Sequence, residues 1–426
     1  MTGTPSRRQS QVSSPFRPRI AHATGYILAG FSAVWLIWAW ATVGEVPFHP
    51  DEATYLYMAN DGYTNPGRLA YDPDIRTRAA HYRLVNAPLT RYLWALSLRL
   101  ANASPPPVDW LWEQTWNENR SRGALPQPDA LLAARRTAVI LIWLAGWGLY
   151  AAARNLGSPR AGLVAAVLFW LHPLVLLHGR RAMQEAALLA TLAWLLTVLT
   201  APRARAWLIG TMWGLALAAK AWALAWGPAV GYRALTERPR LRRALVVLLT
   251  ASAVLMLLNP VAWRAPLTTA RAAWQRRHAV TQGQVRTALA LGSPHALTTP
   301  GARALALLWH LYLAPLQYAE VGNYQHALAA EQRAYDQKPW ARWTHGPIAS
   351  GALLVLTGLG LVQLARQTWP RAAGRAYLLV GAGMLAFYLA ALPLAWQRYV
   401  VPWLPWLAVA WGWGVDALLA AWFHRA

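Results

Sequence analysis

The sequence predicts an all-α, polytopic integral membrane protein of about ten transmembrane helices, and three observations carry that prediction. Of the 426 residues, 56% are hydrophobic and only 13% charged, against about 25% charged in an ordinary soluble domain. Long stretches of Leu, Ala and Trp run free of Asp, Glu, Lys and Arg; a bilayer core is crossed by about 20 mostly apolar helical residues. Backbone polar groups cannot go unpaired in lipid, so such stretches must be helices. Finally, Arg gathers in the short connections between these stretches, while carboxylates gather in one long connection.

Taken in order, the predicted spans are 24–43, 137–153, 161–178, 182–200, 206–219, 222–235, 244–259, 346–365, 376–394 and 400–421. The chain is Ser- and Arg-rich as far as Arg19 and apolar from Thr24 to Val43. That run is too long for a signal-peptide core, and no Ala-x-Ala pattern follows it. It predicts a retained first span behind a basic cytoplasmic tail, 1–23, with 24–426 forming a single transmembrane domain. The stretch 206–235 reads either as two short spans turning near Lys220 or as one tilted span.

Orientation follows from Lys and Arg in short loops. With Arg7, Arg8, Arg17 and Arg19 inside, alternation puts several basic groups on the cytoplasmic side: Arg154 with Arg160, Arg203 with Arg205, Arg238 through Arg243, and Arg366, Arg371 and Arg375. The chain then ends inside at Arg425. Two long loops fall outside, about 44–136 and about 260–345. The first holds Glu45, Asp51, Glu52, Asp61, Asp72, Asp74, Asp109, Glu113, Glu118 and Asp129, ten of the sixteen carboxylates. Within it Ala87–Ala101 reads as a helix along the membrane surface, with Arg91 and Arg99 reaching into headgroups, and 303–318 reads as a second such helix.

The net charge of +24 does not point to nucleic acid, because the basic residues sit between spans. Anionic headgroups and phosphate ligands account for them better. The absence of cysteine rules out disulfides and thiol catalysis.

Five motifs carry chemistry. Phe48-His49-Pro50-Asp51-Glu52 puts paired carboxylates just past the first span. It reads either as a helix start with acids facing the dipole or as a general base raised by burial. His178-Gly179-Arg180-Arg181-Ala182-Met183-Gln184-Glu185 is a tight outer turn. Its guanidinium forks match phosphate, or else they snorkel at a hairpin. Glu185 inside the first turn of a span is costly and therefore marks function. Lys220, in Leu217-Ala218-Ala219-Lys220-Ala221-Trp222, either snorkels or holds an anion. Trp396-Gln397-Arg398-Tyr399, with Pro402 and Pro405 following, projects another cation at the outer start of the last span. Asn259-Pro260 with Trp263-Arg264, then Arg271 and Gln275, reads more simply as a span ending in a turn.

The order of these elements resembles the GT-C glycosyltransferases, and within them the branch of protein O-mannosyltransferases and lipid A aminoarabinose transferases. The matching positions are Asp51-Glu52 after the first span, Asn86-Ala87-Pro88-Leu89 with Arg91-Tyr92, and Arg135-Arg136 ahead of the second span. Further on they are Arg181-Ala182-Met183-Gln184-Glu185, Gly214-Leu215-Ala216 through Lys220, and Arg398-Tyr399 with Pro402. Relatives often carry His or Lys where this chain has Asn86-Ala87, and some carry a large soluble domain that it lacks.

The resemblance implies a multi-pass protein of the (bacterial) plasma membrane with an extracytoplasmic site. It implies transfer of a sugar, by default a mannose-like hexose, from a polyprenyl-phosphate carrier to an acceptor hydroxyl, with inversion. The acceptor is a protein, lipid or glycan. Asp51 is then the base. Arg180, Arg181, Lys220 and Arg398 hold the departing phosphate, and Glu52 and Glu185 orient these cations or the sugar. A divalent metal at the carboxylates has no His/Asp ligand spacing behind it. The rival reading is a transporter or flippase of lipid-linked sugars, which calls for broken helices and repeat symmetry.

Overall fold

A computed structural model describes residues 16–290, 293, 295–320, 324–343 and 346–423. The ends of the predicted basic tail and of the chain, including Arg7, Arg8 and Arg425, lie outside the described residues. Helices make up nearly all of the ordered structure. No strand occurs among the described residues, only a single bridge between Ala296 and Leu394.

The first helix, α1 (Phe16–Ala41), gives way to a 3-10 turn at Val43–Glu45. Then α2 (Pro50–Met58) begins where the residue types demand: Pro50 fits the first turn, where no N–H is needed. The His49 side chain accepts from the Asp51 N–H, and the Glu52 carboxylate closes a capping box on the His49 N–H. The remainder of the first long loop carries α3 (Arg78–Val85), α4 (Leu89–Leu100) and α5 (Trp116–Ser121). The 29-residue α6 (Pro128–Leu156) stops at Gly157, whose φ of 123° suits a glycine. Next come α7 (Pro159–Leu171), α8 (Pro173–His178), α9 (Gln184–Thr200) and α10 (Ala206–Ala219). The chain leaves the helix at Lys220 in an extended conformation, makes a 3-10 turn at Ala221–Trp226, and resumes as α11 (Gly227–Leu235) and α12 (Arg240–Leu258). The second long loop holds α13 (Pro266–Ala290), α14 (Pro300–Leu308), α15 (Gln325–Asp336) and α16 (Pro339–Arg342); α17 (Pro347–Thr368), α18 (Ala372–Ala391) and α19 (Leu404–Phe423) follow.

α6 packs against α7 and α9, and α19 lies against both α7 and α17. A Cβ on Gly412 would overlap the Ala161 carbonyl, and one on Gly360 the Ala410 carbonyl. Backbones therefore meet directly there, as small residues permit between helices in lipid. Almost every residue of α9 is buried, so it runs through the middle of the bundle.

Among the described residues, six helices are long and apolar enough to cross a membrane: His22–Ala41, Pro128–Leu156, Arg240–Leu258, Pro347–Thr368, Ala372–Ala391 and Gln397–Phe423. The other four predicted spans come out short, for identifiable reasons. Pro173 has no N–H to continue a helix, so the predicted 161–178 span is two pieces, α7 and α8. α9 and α10 have 17 and 14 residues, under the ~20 that a bilayer core takes. The 222–235 span is a turn plus nine helical residues.

The predicted surface helix at 87–101 is α4, but its arginines differ. Arg99 is exposed, donates to the Gly62 carbonyl and lies over Tyr63. Arg91 is fully buried and turned inward onto Asp61, which also takes two nitrogens of Arg83. A buried carboxylate supplies a partner that headgroups would otherwise provide.

Candidate active site

The capping geometry of α2 sends its two acids in opposite directions. Glu52 points into the protein. Its oxygens take Arg135 Nε at 2.8 Å and Arg135 Nη2 at 2.7 Å, the Ala182 N–H at 2.8 Å and the His49 N–H at 3.0 Å. Burial alone would raise this carboxyl's pKa; Arg135, then Arg181 and the Ala182 N–H, hold it below the ordinary range. Asp51 points the other way and bonds Arg398 Nη1.

Arg398 stands on the turn Gln397–Tyr399 ahead of α19 and also faces Glu320, its Nε 3.3 Å from Oε1. The second oxygen of Glu320 meets His49 Nε2 at 2.7 Å, and Tyr324 O–H lies 3.4 Å from the same nitrogen. Since His49 Nδ1 accepts from the Asp51 N–H, Nε2 carries the proton and donates to Glu320. Burial would raise Glu320, but the charge of Arg398 and the hydrogen bond from His49 keep it well below the usual carboxylate range.

The break after α10 supplies the other half. Lys220 Nζ sits 2.7 Å from Glu185 Oε1, at the start of α9. Lys220 Nζ and Arg398 Cζ lie 5.6 and 5.9 Å from the centre of one ring, Tyr399. Arg277, on the exposed face of α13, extends its charge to Lys220, Tyr399 and Tyr55. Tyr55, a turn along α2 from Asp51, is buried, and the charges of Asp51 and Glu185 add to that burial in pushing its hydroxyl up. Segments 50–55, 185, 220, 320 and 396–399 thus form one cluster, with the charge of Arg277 reaching it from α13.

Accessibility separates the acids. The side chains of Glu52, Glu185 and Glu320 are 0%, 2% and 3% exposed, whereas that of Asp51 is 18% exposed. Asp51 is the carboxylate of this group that a solute can reach.

The two turn arginines lie elsewhere than on that open face. Arg180 is buried and spends its nitrogens on the Leu176 carbonyl, Thr42 and Tyr335. Arg181, equally buried, donates to the carbonyls of Pro47 and Tyr318. Both tie the α8–α9 turn to segments that precede it and to the second long loop, because a guanidinium in a dry interior must find oxygen acceptors. Of the sequence candidates, Asp51 and Arg398 are bonded to each other, Glu185 and Lys220 likewise, and Glu52 points away from them to Arg135.

His49, Glu320, Tyr55, Tyr324, Arg277 and Tyr399 complete the cluster beyond the sequence candidates. Glu320 carried one visible signal, a carboxylate in a second loop otherwise rich in Arg. Arg277 carried none, being one of several arginines on α13.

Among the described residues, no group of three His, Asp or Glu side chains could hold a metal ion. Each carboxylate of the cluster already faces an arginine, a lysine or His49. The donor set does not suit a divalent ion, and no step is drawn through one. What the arrangement does offer is two cations from separate elements over Tyr399, beside a reachable proton acceptor.

No family model matches the chain, and no curated protein matches it. Among solved structures it is similar to the Archaeoglobus fulgidus oligosaccharyltransferase tethered with an acceptor peptide: TM-score 0.50, 12% identity, 92% of this chain and 50% of that one. The complex of that enzyme with Zn and sulfate gives TM-score 0.50 at 13% identity, with the same coverage. The S. cerevisiae protein O-mannosyltransferase Pmt1-Pmt2 complex bound to the sugar donor gives 0.39 at 19% identity, over 60% of this chain and 34% of that one. The chain spans about half the length of the archaeal enzyme. At such identity the likeness is one of fold: the helical architecture is similar to that of the archaeal oligosaccharyltransferase.

Proposed function

We propose that this chain is a membrane glycosyltransferase that moves a sugar, by preference a hexose, from a polyprenyl-phosphate carrier to an acceptor hydroxyl at the extracytoplasmic face. One observation carries the reading: Lys220 and Arg398 come from separate elements to one ring, Tyr399, and Arg398 bonds Asp51, the one accessible carboxylate of the cluster. Each cation is held in place by a carboxylate, and a lipid phosphate arriving from the bilayer is an anion that both can face. The fold shared with the archaeal oligosaccharyltransferase supports the same reaction class. The adjacent Asp51-Glu52 and the Arg181–Glu185 turn favour the O-mannosyltransferase and aminoarabinose-transferase branch.

In the reaction, the Asp51 carboxylate takes the proton of the acceptor hydroxyl as its oxygen attacks the anomeric carbon. The bond from that carbon to the phosphate oxygen breaks, and its electron pair leaves with the polyprenyl phosphate. Lys220, Arg398 and Arg277 face the developing charge. Glu185 orients Lys220. Glu52, with Arg135, and Arg180 and Arg181 act at one remove, as positioning residues that hold α2 against the α8–α9 turn.

The rival reading, a flippase of lipid-linked sugars, draws on the helix break at Lys220. One experiment separates the two. Purified protein is incubated with a panel of polyprenyl-phosphate sugars and an acceptor mixture, and free polyprenyl phosphate is measured. A transferase releases it and Asp51→Asn does not; sugar-lipid that crosses vesicles intact, with no release, overturns the proposal.

A further inference from the structure

In the first long loop, segment 106–112 runs beside α2 in the opposite direction. The Asn60 amide donates to the Pro106 carbonyl at 3.2 Å, Thr54 donates to Asp109 at 3.0 Å, and the Trp112 ring lies 6.5 Å from that of His49. α3 joins the same row: Tyr82 donates to the other oxygen of Asp109 at 2.7 Å, and the charge of Asp51 reaches Tyr82. Asp51, Thr54 and Met58 recur at helical spacing along one face of α2. From His49 to Asn60 the row is about 16 Å long, at 1.5 Å per residue.

At the end of the row away from Asp51 lies a cavity of about 240 Å³, whose walls include Tyr57, Asn60, Asp61, Thr64, Arg83 and Pro107. One water needs about 10–15 Å³ and a drug-sized ligand about 300–1,000 Å³, so the space suits a single ring-sized group. Tyr57, Asn60, Thr64 and Arg83 are half-buried, so the walls can be reached from outside.

The chemistry of the walls narrows the occupant. Tyr57 and Thr64 bring hydroxyls and Asn60 an amide, groups that both donate and accept. The carboxylate among them, Asp61, is already paired with Arg83 and Arg91. Residues 44–136 carry ten Arg and no Lys against ten carboxylates, so they are neutral in a chain of net charge +24. An anionic polymer gains nothing from that balance. Extended peptides commonly add to a free strand edge, and no strand occurs among the described residues. A sugar ring is uncharged, pairs through hydroxyls and lays its C–H face on aromatic side chains. Tyr57 lines the cavity, and the half-buried Trp112 stands at the other end of the row.

Resting on the transferase reading, we infer that the acceptor is a neutral glycan, with one ring in the cavity between α2, α3 and Pro107 and a hydroxyl further along its chain at Asp51. Asp51 and Tyr57 are six positions apart, about 9 Å along the helix. A disaccharide covers that distance and a single sugar does not.

The test measures binding to detergent-purified full-length protein without donor. The probes are an array of neutral mono-, di-, tri- and tetrasaccharides, uronic-acid oligosaccharides and Ser/Thr peptides. A neutral disaccharide or longer chain should bind at least about tenfold more tightly than its monosaccharide, because both ends of the row are engaged at once. Ala79→Leu, which fills the cavity from α3, should weaken that binding at least about tenfold. Tyr57→Phe, which removes only a hydroxyl, should weaken it about two- to tenfold. Both variants should bind sugar-free polyprenyl phosphate as the wild type does. The proposal is overturned by an array on which no neutral saccharide binds, by tighter binding of uronic-acid chains or peptides, or by saccharide binding that both variants retain. Equal loss of saccharide and polyprenyl phosphate in both variants would show the cavity to be structural and overturn it too. With donor added, sugar transfer onto peptides alone would remove the glycan acceptor and leave the transferase standing. Saccharide binding that both variants weaken, with no polyprenyl phosphate released from any donor, would remove the transferase reading and leave a glycan-binding cavity.

Discussion

Glu52 accepts two nitrogens of Arg135 from the same side, at 2.8 and 2.7 Å, across 83 positions of chain. The pair joins the start of α2 to α6, and the remaining lone pairs of Glu52 are taken by the Ala182 and His49 N–H groups. Breaking a buried pair strands the other charge, at about 3–5 kcal/mol. Arg135→Met is therefore expected to lower the melting temperature sharply in detergent. Arg135→Met combined with Glu52→Gln should lower it by less than the two single changes added together. Strict additivity would mean that the two groups are not coupled.

Asp51 differs from its neighbour in being reachable. Asp51→Asn keeps the shape of the side chain and removes the proton acceptor. Sugar transfer should fall about 10²–10⁴-fold, the usual worth of a general base, with the melting temperature close to that of the wild type. Turnover within a few-fold of wild type would take the base role away from Asp51.

These first two predictions divide along the line between what the residues announced and what packing decided. Asp51, Glu52, Glu185, Lys220 and Arg398 stood out because an ionisable group near a membrane boundary must be paired or used, and each has an ion-pair partner. The sequence could not say which partner each would find. Arg180 and Arg181 looked like a phosphate fork, yet the turn that carries them is drawn inward, where carbonyls of other loops claim the guanidinium nitrogens. Glu320 and Arg277 come from the second long loop, where no hydrophobic period positions a side chain; only the tertiary arrangement brings them to Tyr399. For the spans, apolar composition found the six long apolar helices but not the polar 25-residue α13. It offered a turn near Lys220 as one of two readings, and it did not register that Pro173 splits the run it sits in.

Arg277 provides a cleaner probe of the anion site than Arg398. Arg398 is shared between Asp51 and Glu320, so removing it leaves two carboxylates unbalanced. Arg277 is exposed on α13 and has no such partners to strand. Arg277→Ala should leave stability unchanged and weaken binding of sugar-free polyprenyl phosphate several-fold. The wild-type affinity should also fall faster with added salt than the variant's, because one screened cation is gone. Identical salt dependence would exclude Arg277 from the phosphate site.

Absence of cysteine makes the topology directly measurable. Single cysteines at Asp74 or Glu113, both exposed in the first long loop, should react with an impermeant maleimide from outside intact cells. Cysteines at Arg203 or Arg371 should react only after the membrane is opened. Labelling of Asp74→Cys from the cytoplasmic side would move the cluster to the other face and remove a lipid-sugar donor presented outside.

Acid should loosen the site first. Glu52 and Glu320 have folded-state pKa values below the ordinary glutamate value, about 4.3 in an unfolded chain. Below that value the unfolded chain binds protons that the folded protein does not yet accept, so stability is lost as pH falls from about 5 downward and is fully present above it. Glu320→Gln removes one such group. The variant should be less stable than the wild type at neutral pH, where Arg398 and His49 lose their shared acceptor. Its melting temperature should also fall less steeply between about pH 5 and pH 3. Parallel curves over that range would mean that the His49–Glu320–Arg398 arrangement contributes nothing that depends on the Glu320 charge.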